Sequence, residues 1–184
     1  DSISCIINKS GDLLKNIYLE ITLPDLNKPD NASWFGYSNN IGCNLIKECI
    51  LKINDQIVDS FSGEWIDIYH QIKKKDISEL TLEYNSEYSI RNTSYNIDIN
   101  KRLIYVPLPF FFTKNSGLAL PLNALQDSNI SLDITFRKLS ELVKIDIYNN
   151  IDSIQVNNTS SFECKVITEN IILDTKESGF FKSK

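Results

Sequence analysis

Side chains that commonly carry out chemistry are few in this sequence: its 184 residues include one histidine and four cysteines. The histidine, His70, follows Glu64 and Asp67, so these three side chains are candidates for a small metal or acid–base site. A histidine without partners at recognisable ligand spacing is more often a helix-surface residue. We therefore predict that His70 lies on a helix surface, and we assign it no role.

Other catalytic patterns are weaker. A fold can bring the carboxylates of Glu83 and Glu87 together as a pair, and glycosidases use such a pair of carboxylates in catalysis. Any acidic protein offers such pairs, however, and the sequence contains no P-loop, GxSxG or HExxH motif. The sequence thus predicts no enzyme, no catalytic residue, no metal site and no cofactor.

The cysteines are Cys5, Cys43, Cys49 and Cys164, and none of them forms a CxxC pair. They lie in segments typical of strands or strand approaches, where a free thiol behaves as a small apolar side chain. The sequence shows no secretory signal, which favours a reducing compartment. We expect buried free thiols rather than a disulfide framework.

Charge and hydropathy disfavour two classes of partner. The net charge is −5 and there is no basic tail, so direct binding to nucleic acid is not expected. No apolar run reaches the length of about 18 residues that a membrane span requires, so membrane insertion is not expected either. A protein-facing role fits the composition better.

The elements that must position these side chains are mostly strands. Residues 15–23 alternate apolar and polar side chains and stop at Pro24, which predicts a strand. Residues 44–61 predict a hairpin that turns at Asn54 and Asp55. Its first strand carries one apolar face, formed by Cys49, Leu51 and Ile53.

One segment has the spacing of an amphipathic helix. Trp65, Ile68, Tyr69 and Ile72 recur at i, i+3, i+4 and i+7, and so form its apolar face. Ser62 precedes them as the expected N-cap.

The rest of the chain alternates between loops and strands. Residues 76–101 are polar and weakly periodic, which suggests a loop. Residues 102–112 predict a strand interrupted by Pro107 and Pro109, which a central strand would not tolerate. Residues 161–173 predict a final long strand. Many strands without regular strand–helix alternation favour an all-β antiparallel sandwich or barrel.

Residues 117–137 combine two patterns. The first half is apolar, but Gly117 and Pro121 make it a poor helix. The second half alternates strictly and predicts a strand with one buried face, followed by a short helix within residues 138–145. The expected inward side chains of the strand are Ile130, Leu132, Ile134 and Phe136.

Three blocks occur in a fixed order: GDLLKNIYLEITLP (residues 11–24), NNIGCNLIKECILKINDQIVDSFSGEWIDIYHQI (39–72) and RLIYVPLPFFFTKNSGLALPLNALQDSNISLDITFR (102–137). Together they resemble the major capsid proteins of the nucleocytoplasmic large DNA viruses, and the segment ENIILDTKES resembles the end of that family's first jelly roll. The residues of these blocks to which the resemblance assigns structural roles are Gly11, Asp12, Leu13, Pro24, Asn40, Ile41, Gly42, Gly63, Glu64, Trp65, Pro107, Pro109, Phe110, Gly117, Leu118, Ala119, Leu120, Pro121, Phe136 and Arg137.

The resemblance implies an antiparallel eight-stranded jelly-roll sandwich with one or two short helices, the first of two jelly rolls in the family. On this pattern residues 1–173 form the N-terminal jelly roll, without the N-terminal arm and a first strand. Residues 174–184 then begin the linker toward a second jelly roll.

The implied function is that of a structural subunit of an icosahedral viral capsid, which forms pseudo-hexagonal homotrimers through paired jelly rolls. The implied partners are other capsid subunits, neighbouring capsomers and minor capsid proteins, and the implied location is the virion capsid after assembly in the host cytoplasm. Two alternatives stay open at this point. One is a carbohydrate- or receptor-binding jelly roll that uses aromatics of residues 76–101, and the other is a small hydrolase based on Glu83 or Glu87.

Overall fold

A computed structural model describes residues 2–24, 26–27, 35–38, 40–73, 102–145, 155–156, 162–174 and 177. Its strands are β1 (Ser2–Ile6), β2 (Leu13–Leu23), β3 (Leu26–Asn27), β4 (Phe35–Tyr37), β5 (Ile46–Ile53), β6 (Gln56–Phe61), β7 (Arg102–Pro107), β8 (Leu120–Pro121), β9 (Ile130–Phe136), β10 (Val143–Ile145), β11 (Gln155–Val156) and β12 (Glu163–Ile171). Its α-helices are α1 (Ile41–Leu45), α2 (Gly63–Lys73) and α3 (Leu139–Leu142), and short 3-10 turns span Phe111–Thr113 and Ser116–Leu118.

The main strands form two antiparallel sheets. One sheet has the order β1-β9-β5-β6, and the other has the order β12-β2-β7 with β8 beside the start of β2. Apart from the β5–β6 hairpin and the short β8, which follows β7 in the same sheet, successive main strands lie in opposite sheets, so the chain crosses repeatedly from one layer to the other. This is the connectivity of a jelly-roll sandwich, and the prediction of an antiparallel all-β fold is confirmed.

β2 lies at the centre of its sheet because its alternation supplies a continuous apolar face. Ile17, Leu19 and Ile21 are almost completely buried. The strand pairs with β12 on one side and β7 on the other. The predicted strand is confirmed, and it begins two residues earlier than expected, at Leu13.

The predicted hairpin is also confirmed. Asn54 and Asp55 have φ angles of 50° and 64°, the left-handed conformation that a two-residue type I′ turn requires at both central positions. The short polar side chains of Asn and Asp tolerate this conformation better than most. Within β5, Leu51 is buried as expected, whereas Ile53 beside the turn is only partly buried.

β9 confirms the face that its sequence predicts. Ile130, Leu132 and Ile134 are fully buried, and Phe136 nearly so. The strand has β1 on one side and β5 on the other, so both of its backbone edges are paired. On the outward face, Asp133 binds Lys52.

The prediction for the face of α2 was wrong. Trp65, Ile68 and Ile72 are 42, 47 and 69% exposed, whereas His70, expected at the surface, is only 4% exposed. The inward residues are instead Gly63, Ile66 and His70, which also recur with helical spacing. The start of α2 lies directly against α1, and only a residue without a side chain fits there. This contact fixes the rotation of the helix about its axis.

The two prolines of the third block lie where the sequence predicted an interruption. β7 ends at Pro107 and pairs, among the described residues, with β2 alone. Pro109 is buried just beyond the strand. An edge strand tolerates proline because one side of its backbone has no neighbour to bond.

The remaining predictions concern residues 76–101 and the segments that follow β9. Residues 76–101, which include Glu83 and Glu87, lie outside the described residues, as does most of the segment after residue 174. The expected short helix after β9 is α3, and the expected final strand is β12. Among the described residues, no helix has the length and hydropathy of a membrane span.

Candidate functional site

Glu64 and His70, two of the side chains first considered for chemistry, lie on different sides of α2. Glu64 forms an ion pair with Arg137 at the start of α2. The His70 side chain lies on the buried side of α2. Its ring stands edge-on to that of Tyr69, and the two ring centroids are 5.4 Å apart. Glu64 and His70 are six residues apart on one helix, which places them on different faces. In the part of the chain that the structure describes, no three His, Cys, Asp or Glu side chains group to hold a metal.

All four cysteines are free thiols, as predicted. Cys43 and Cys49 are buried, whereas Cys5 and Cys164 are less buried than expected because β1 and β12 are edge strands in the described sheets. Burial raises the pKa of the Cys5 thiol and raises the pKa of Cys164 to about 11. Both thiols therefore stay protonated at neutral pH and pack as apolar groups.

The first family motif joins the start of β2 to the end of β12. The amide of Asp12 donates to the carbonyl of Ile171 (2.9 Å), and the Asp12 carboxylate accepts from the amide of Leu173 (2.8 Å). A Cβ atom at Gly11 would lie 2.7 Å from Cβ of Asn170, so only glycine allows this approach. We call this contact the β2–β12 clasp. It holds the chain where it leaves the sandwich.

The string Gly-Leu-Ala-Leu-Pro-Leu runs from the surface into this clasp. Gly117 lies in an exposed turn, where its amide donates to the Asn115 side chain (2.7 Å), and Leu118 is also exposed. Ala119 is partly buried. Leu120 and Pro121 then form β8 and pair with the first residues of β2, Leu14 and Leu13. The irregular apolar segment thus fills the core at one sheet end before the chain turns into β9.

The second motif packs α2 onto α1. A Cβ atom at Gly63 would lie 2.0 Å from the carbonyl oxygen of Cys43 and 2.4 Å from that of Ile46. No real side chain fits at such distances, so the string Gly-Glu-Trp begins with a residue that the helix contact demands. Three further motif residues shape α1: Asn40, in the left-handed conformation before the helix, and the buried Ile41 and Gly42.

Arg137 ties the same two helices to the end of β9. Its guanidinium donates to the carbonyl oxygens of Asn44 (2.7 Å), in the last turn of α1, and of Ile46 (3.1 Å), the first residue of β5. It also pairs with Glu64 in the first turn of α2. A hydrogen bond with Ser62 and the charge of Arg137 hold the pKa of Glu64 below its usual value. Ser62, at the expected N-cap position, thus supports this contact, which we call the Arg137 clamp.

The third motif brings an aromatic cluster into the core. Phe110 is fully buried between Phe61 (ring centroids 4.8 Å apart) and Phe112 (5.7 Å). The amide of Phe111 donates to the carboxylate of Asp59 (2.9 Å), which fixes the segment after β7 against β6. The Phe run therefore serves packing rather than ligand binding.

The remaining motif residues close the other end of the β12-β2-β7 sheet. The Tyr37 hydroxyl donates to the carbonyl of Pro24 (2.9 Å), just after β2 ends. Phe136 packs edge-on against Phe162, with ring centroids 5.1 Å apart. Of the motif residues with described side chains, Trp65 and Leu118 are the large apolar ones that stay exposed.

The structure reveals a surface that the sequence analysis missed. We call Trp65, Ile68 and Ile72 the α2 outer face. Beside it lies a cleft of about 400 Å³, the α2 cleft, between α2, β2 and the segment after β7. The signal was present in the sequence, since two sets of residues on α2 have helical spacing. Choosing the inward set required the contact of Gly63 with α1.

A family model described as "Major capsid protein N-terminus" matches residues 1–174. The chain belongs to the major capsid protein family. It is 33% identical over 165 residues to "Probable capsid protein 4" of Acanthamoeba polyphaga mimivirus, a match that covers 82% of this chain and 30% of that protein. It is 28% identical to the "Major capsid protein" of Pyramimonas orientalis virus, over 73% of this chain and 33% of the relative. The chain thus spans about one third of the length of these relatives.

Solved capsid structures share the fold. The "PBCV-1 virus capsid, quasi-atomic model" matches with a TM-score of 0.71 and 25% identity, over 99% of this chain and 40% of that one. The "Faustovirus major capsid protein" matches with a TM-score of 0.69 at 9% identity, which supports the fold alone. These matches confirm the resemblance to capsid proteins of large DNA viruses and the jelly-roll fold. The chain is a viral capsid structural protein, and its family is not enzymatic.

Proposed function

We propose that this capsid protein chain is the first of two jelly rolls in a longer polypeptide, which forms pseudo-hexagonal homotrimers in an icosahedral shell. One observation carries the proposal: the match to the PBCV-1 capsid structure takes in 99% of this chain but 40% of that one. A polypeptide of that length has room for a second domain of the same size. Two sandwiches per subunit would give a trimer six corners.

The proposed domain boundaries are supported by the point at which β12 ends. We assign residues 1–173 to the jelly roll and residues 174–184 to the start of the linker. The β2–β12 clasp supports this division, because Asp12 holds the amide of Leu173 directly after β12. Leu173 is thus the last residue of the sandwich that this clasp binds.

The edge of β12 has room for a further strand in the described sheet. In the described sheet β12 pairs with β2 alone. Cys164 and Val166 on β12 are only partly buried, although Ile21 and Leu19, their partners on β2, are fully buried. An additional strand along this edge would cover them and would satisfy the free backbone groups of β12.

The proposed partners are two further copies of the same polypeptide within a trimer, and then neighbouring capsomers and minor capsid proteins. The proposed location is the shell of the virion, after assembly in the host cytoplasm. The net charge of −5 supports contacts with protein rather than with the genome.

Native mass spectrometry at low micromolar concentration tests the proposal. Half of a subunit offers at most half of the contact surface, and a stable interface generally needs more than about 1,000 Å² of buried area. We expect the 184-residue chain to be monomeric or to form poorly defined oligomers, and the chain extended by its downstream sequence to form closed trimers. A discrete, persistent trimer of the 184-residue chain would refute the claim that both halves are required.

A further inference from the structure

β1 and β12 form the edges of the two described sheets on one side of the sandwich. On the opposite side the edges are β6 and β7, and contacts join them. The amide of Phe111, just after β7, donates to the carboxylate of Asp59 on β6. The rings of Phe61 and Phe110 lie 4.8 Å apart at the same junction. Because β6 and β7 lie together, the other two edges, β1 and β12, face each other across the core.

Each of these edge strands carries one cysteine that turns inward. Cys5 of β1 pairs with Leu132, and Cys164 of β12 pairs with Ile21. Both of these partners are fully buried. Residues directly opposite each other in an antiparallel pair share one face of the sheet, so both thiols point toward the common core. The two cysteines are packed against that core but are only partly buried.

The two cysteines also lie at similar levels along the strands. Phe162, directly before β12, packs on Phe136 at the end of β9, with ring centroids 5.1 Å apart. This contact places the first residues of β12 over the last residues of β9. Cys164 is the second residue of β12, and Cys5 lies beside Leu132, near the middle of β9. Only a short stretch of strand therefore separates their levels.

The ionisation of the thiols agrees with this placement. Burial raises the pKa of Cys164 to about 11, with a contribution of the same sign from Cys5. Burial also raises the pKa of Cys49, and both Cys5 and Cys164 raise it further. Charge interactions of this kind weaken with distance, so the three thiols form one cluster. Since the described residues include no group of His, Cys, Asp or Glu that could hold a metal, the bond open to this cluster is a disulfide.

We propose that Cys5 and Cys164 form a disulfide that bridges the edges of the two sheets when the protein meets a small-molecule disulfide such as oxidised glutathione. Viral particles pass from the reducing interior of a cell to oxidising surroundings, where disulfides persist. The bridge would therefore stay open inside the cell and close outside it, which would staple this side of the sandwich. Such a modification goes beyond the proposed function and does not depend on it.

The edge position of both cysteines favours this pair. A disulfide requires Cα atoms within about 7 Å of each other. In the described sheets β1 pairs with β9 alone and β12 with β2 alone, so either edge can move inward without breaking a second ladder. Immunoglobulin sandwiches carry a disulfide between their two sheets in the same manner.

Cys49 is a poorer partner for either cysteine. It is fully buried on β5, which is flanked by β6 on one side and β9 on the other. A small-molecule oxidant therefore has no route to its sulfur in the folded chain.

Bridge formation is a thiol–disulfide exchange in two steps. The thiolate of Cys164 attacks one sulfur of oxidised glutathione, which forms a mixed disulfide and releases one glutathione thiolate. The thiolate of Cys5 then attacks the Cys164 sulfur and releases the second glutathione. The protein loses two electrons and two protons, which leave on two molecules of reduced glutathione. Because the pKa of both cysteines is raised, the reaction should accelerate as the pH rises above neutral.

Peptide mapping under non-reducing conditions tests the proposal. The reduced 184-residue chain is incubated with oxidised glutathione, and its free thiols are then alkylated before digestion and mass spectrometry. We expect one link within the chain, between the peptides of Cys5 and Cys164, while Cys43 and Cys49 remain free to be alkylated. The bridged chain should melt roughly 5 °C or more above the reduced chain, and a reductant should reverse the rise.

Two single variants check the pairing. Cys5→Ser and Cys164→Ser each remove one partner at a partly buried position. Each should abolish both the link and the rise in melting temperature. The matched control is Cys43→Ala, which removes a cysteine outside the cluster. Measured against its own reduced form, this control should keep both the link and the rise.

Several results would overturn the proposal. Glutathione adducts without an internal link would do so, as would a link that involves Cys43 or Cys49, or one between two chains. A link between Cys5 and Cys164 that forms only in urea would also count against it, because the unfolded chain would then be the source. The peptide map of the unchanged chain decides the question even if a variant folds poorly. Trimer formation plays no part in these measurements, so their outcome is independent of the proposed function.

Discussion

Gly63 shows how one residue can set the orientation of an element. Its missing side chain lets α2 begin against the carbonyl oxygens of α1, and this contact determines which residues of α2 turn inward. The family motif Gly-Glu-Trp is therefore a packing requirement. Its glycine fits the helix contact, its glutamate joins the Arg137 clamp, and its tryptophan remains available at the surface.

We predict that Gly63→Ala destabilises the fold by about 3 kcal/mol, at the upper end of what overpacking usually costs, because the new methyl group would overlap backbone atoms that cannot move aside. Urea denaturation measures the change. The control is Gly36→Ala, where nothing lies within 4 Å of the added atom. This control should cost less than about 0.5 kcal/mol, and an equally small loss at Gly63 would contradict the close contact between α1 and α2.

The apolar face of β9 yields a second prediction. Ile134 is fully buried, so Ile134→Ala removes core packing and leaves a cavity. We expect a loss of about 2–5 kcal/mol in the free energy of unfolding. The comparison is Ile57→Ala, at a largely exposed position on β6. A loss under about 0.5 kcal/mol at Ile134, the range typical of surface changes, would show that the core has been placed wrongly.

At the scale of elements, α1, α2 and β9 meet in the Arg137 clamp. Arg137 binds one carbonyl group in the last turn of α1 and one at the start of β5, while its charge faces Glu64 at the start of α2. Each helix is too short to be stable alone, so such contacts with the rest of the fold hold it in place.

This clamp should make stability depend on pH. The pKa of Glu64 is lower in the folded state because of Ser62 and Arg137. Its stabilising contribution is therefore present above the pKa of the unfolded chain and is lost as the pH falls through the folded pKa. We expect Glu64→Gln to cost under about 1 kcal/mol at neutral pH, since the ion pair is partly exposed. Denaturation at a series of pH values should show the difference shrinking below about pH 4. A difference that stays constant with pH would contradict the clamp.

At the scale of the whole molecule, the two sheets share one core. The described core is a single cluster of apolar side chains drawn from both sheets and from the aromatic segment after β7. Motif residues such as Asp12 and Arg137 join elements that are distant in sequence, whereas Phe110 lies inside the core. This placement suits a shell protein, whose contribution is a rigid body with defined surfaces.

We therefore predict that a chelator leaves the melting temperature of the 184-residue chain unchanged. The part of the chain that the structure describes offers no cluster of metal ligands, so removing metal should remove no folding free energy. Differential scanning calorimetry with and without EDTA makes the measurement. A lower melting temperature in EDTA that added divalent metal restores would contradict the prediction.

Local pattern alone determined much of this protein. The alternation in β2 and β9 predicted their buried faces, and the pair Asn54 and Asp55 predicted the hairpin turn. Such features depend on residues close together in the sequence, for which the period of hydrophobic residues and the φ angles of a turn are decisive. The motif strings also predicted the family, which the comparison with known proteins confirms.

The tertiary structure decided what local pattern leaves ambiguous. Both faces of α2 have helical spacing, and only the contact of Gly63 with α1 selected Ile66 and His70 as inward and left Trp65 exposed. Likewise, the sequence marked Asp12 and Arg137 as motif residues but did not show what they bind. The fold places backbone groups from distant parts of the chain beside both side chains. The physical reason is the same in each case: the partner lies far away in the sequence, so its identity depends on how the two sheets and the helices pack.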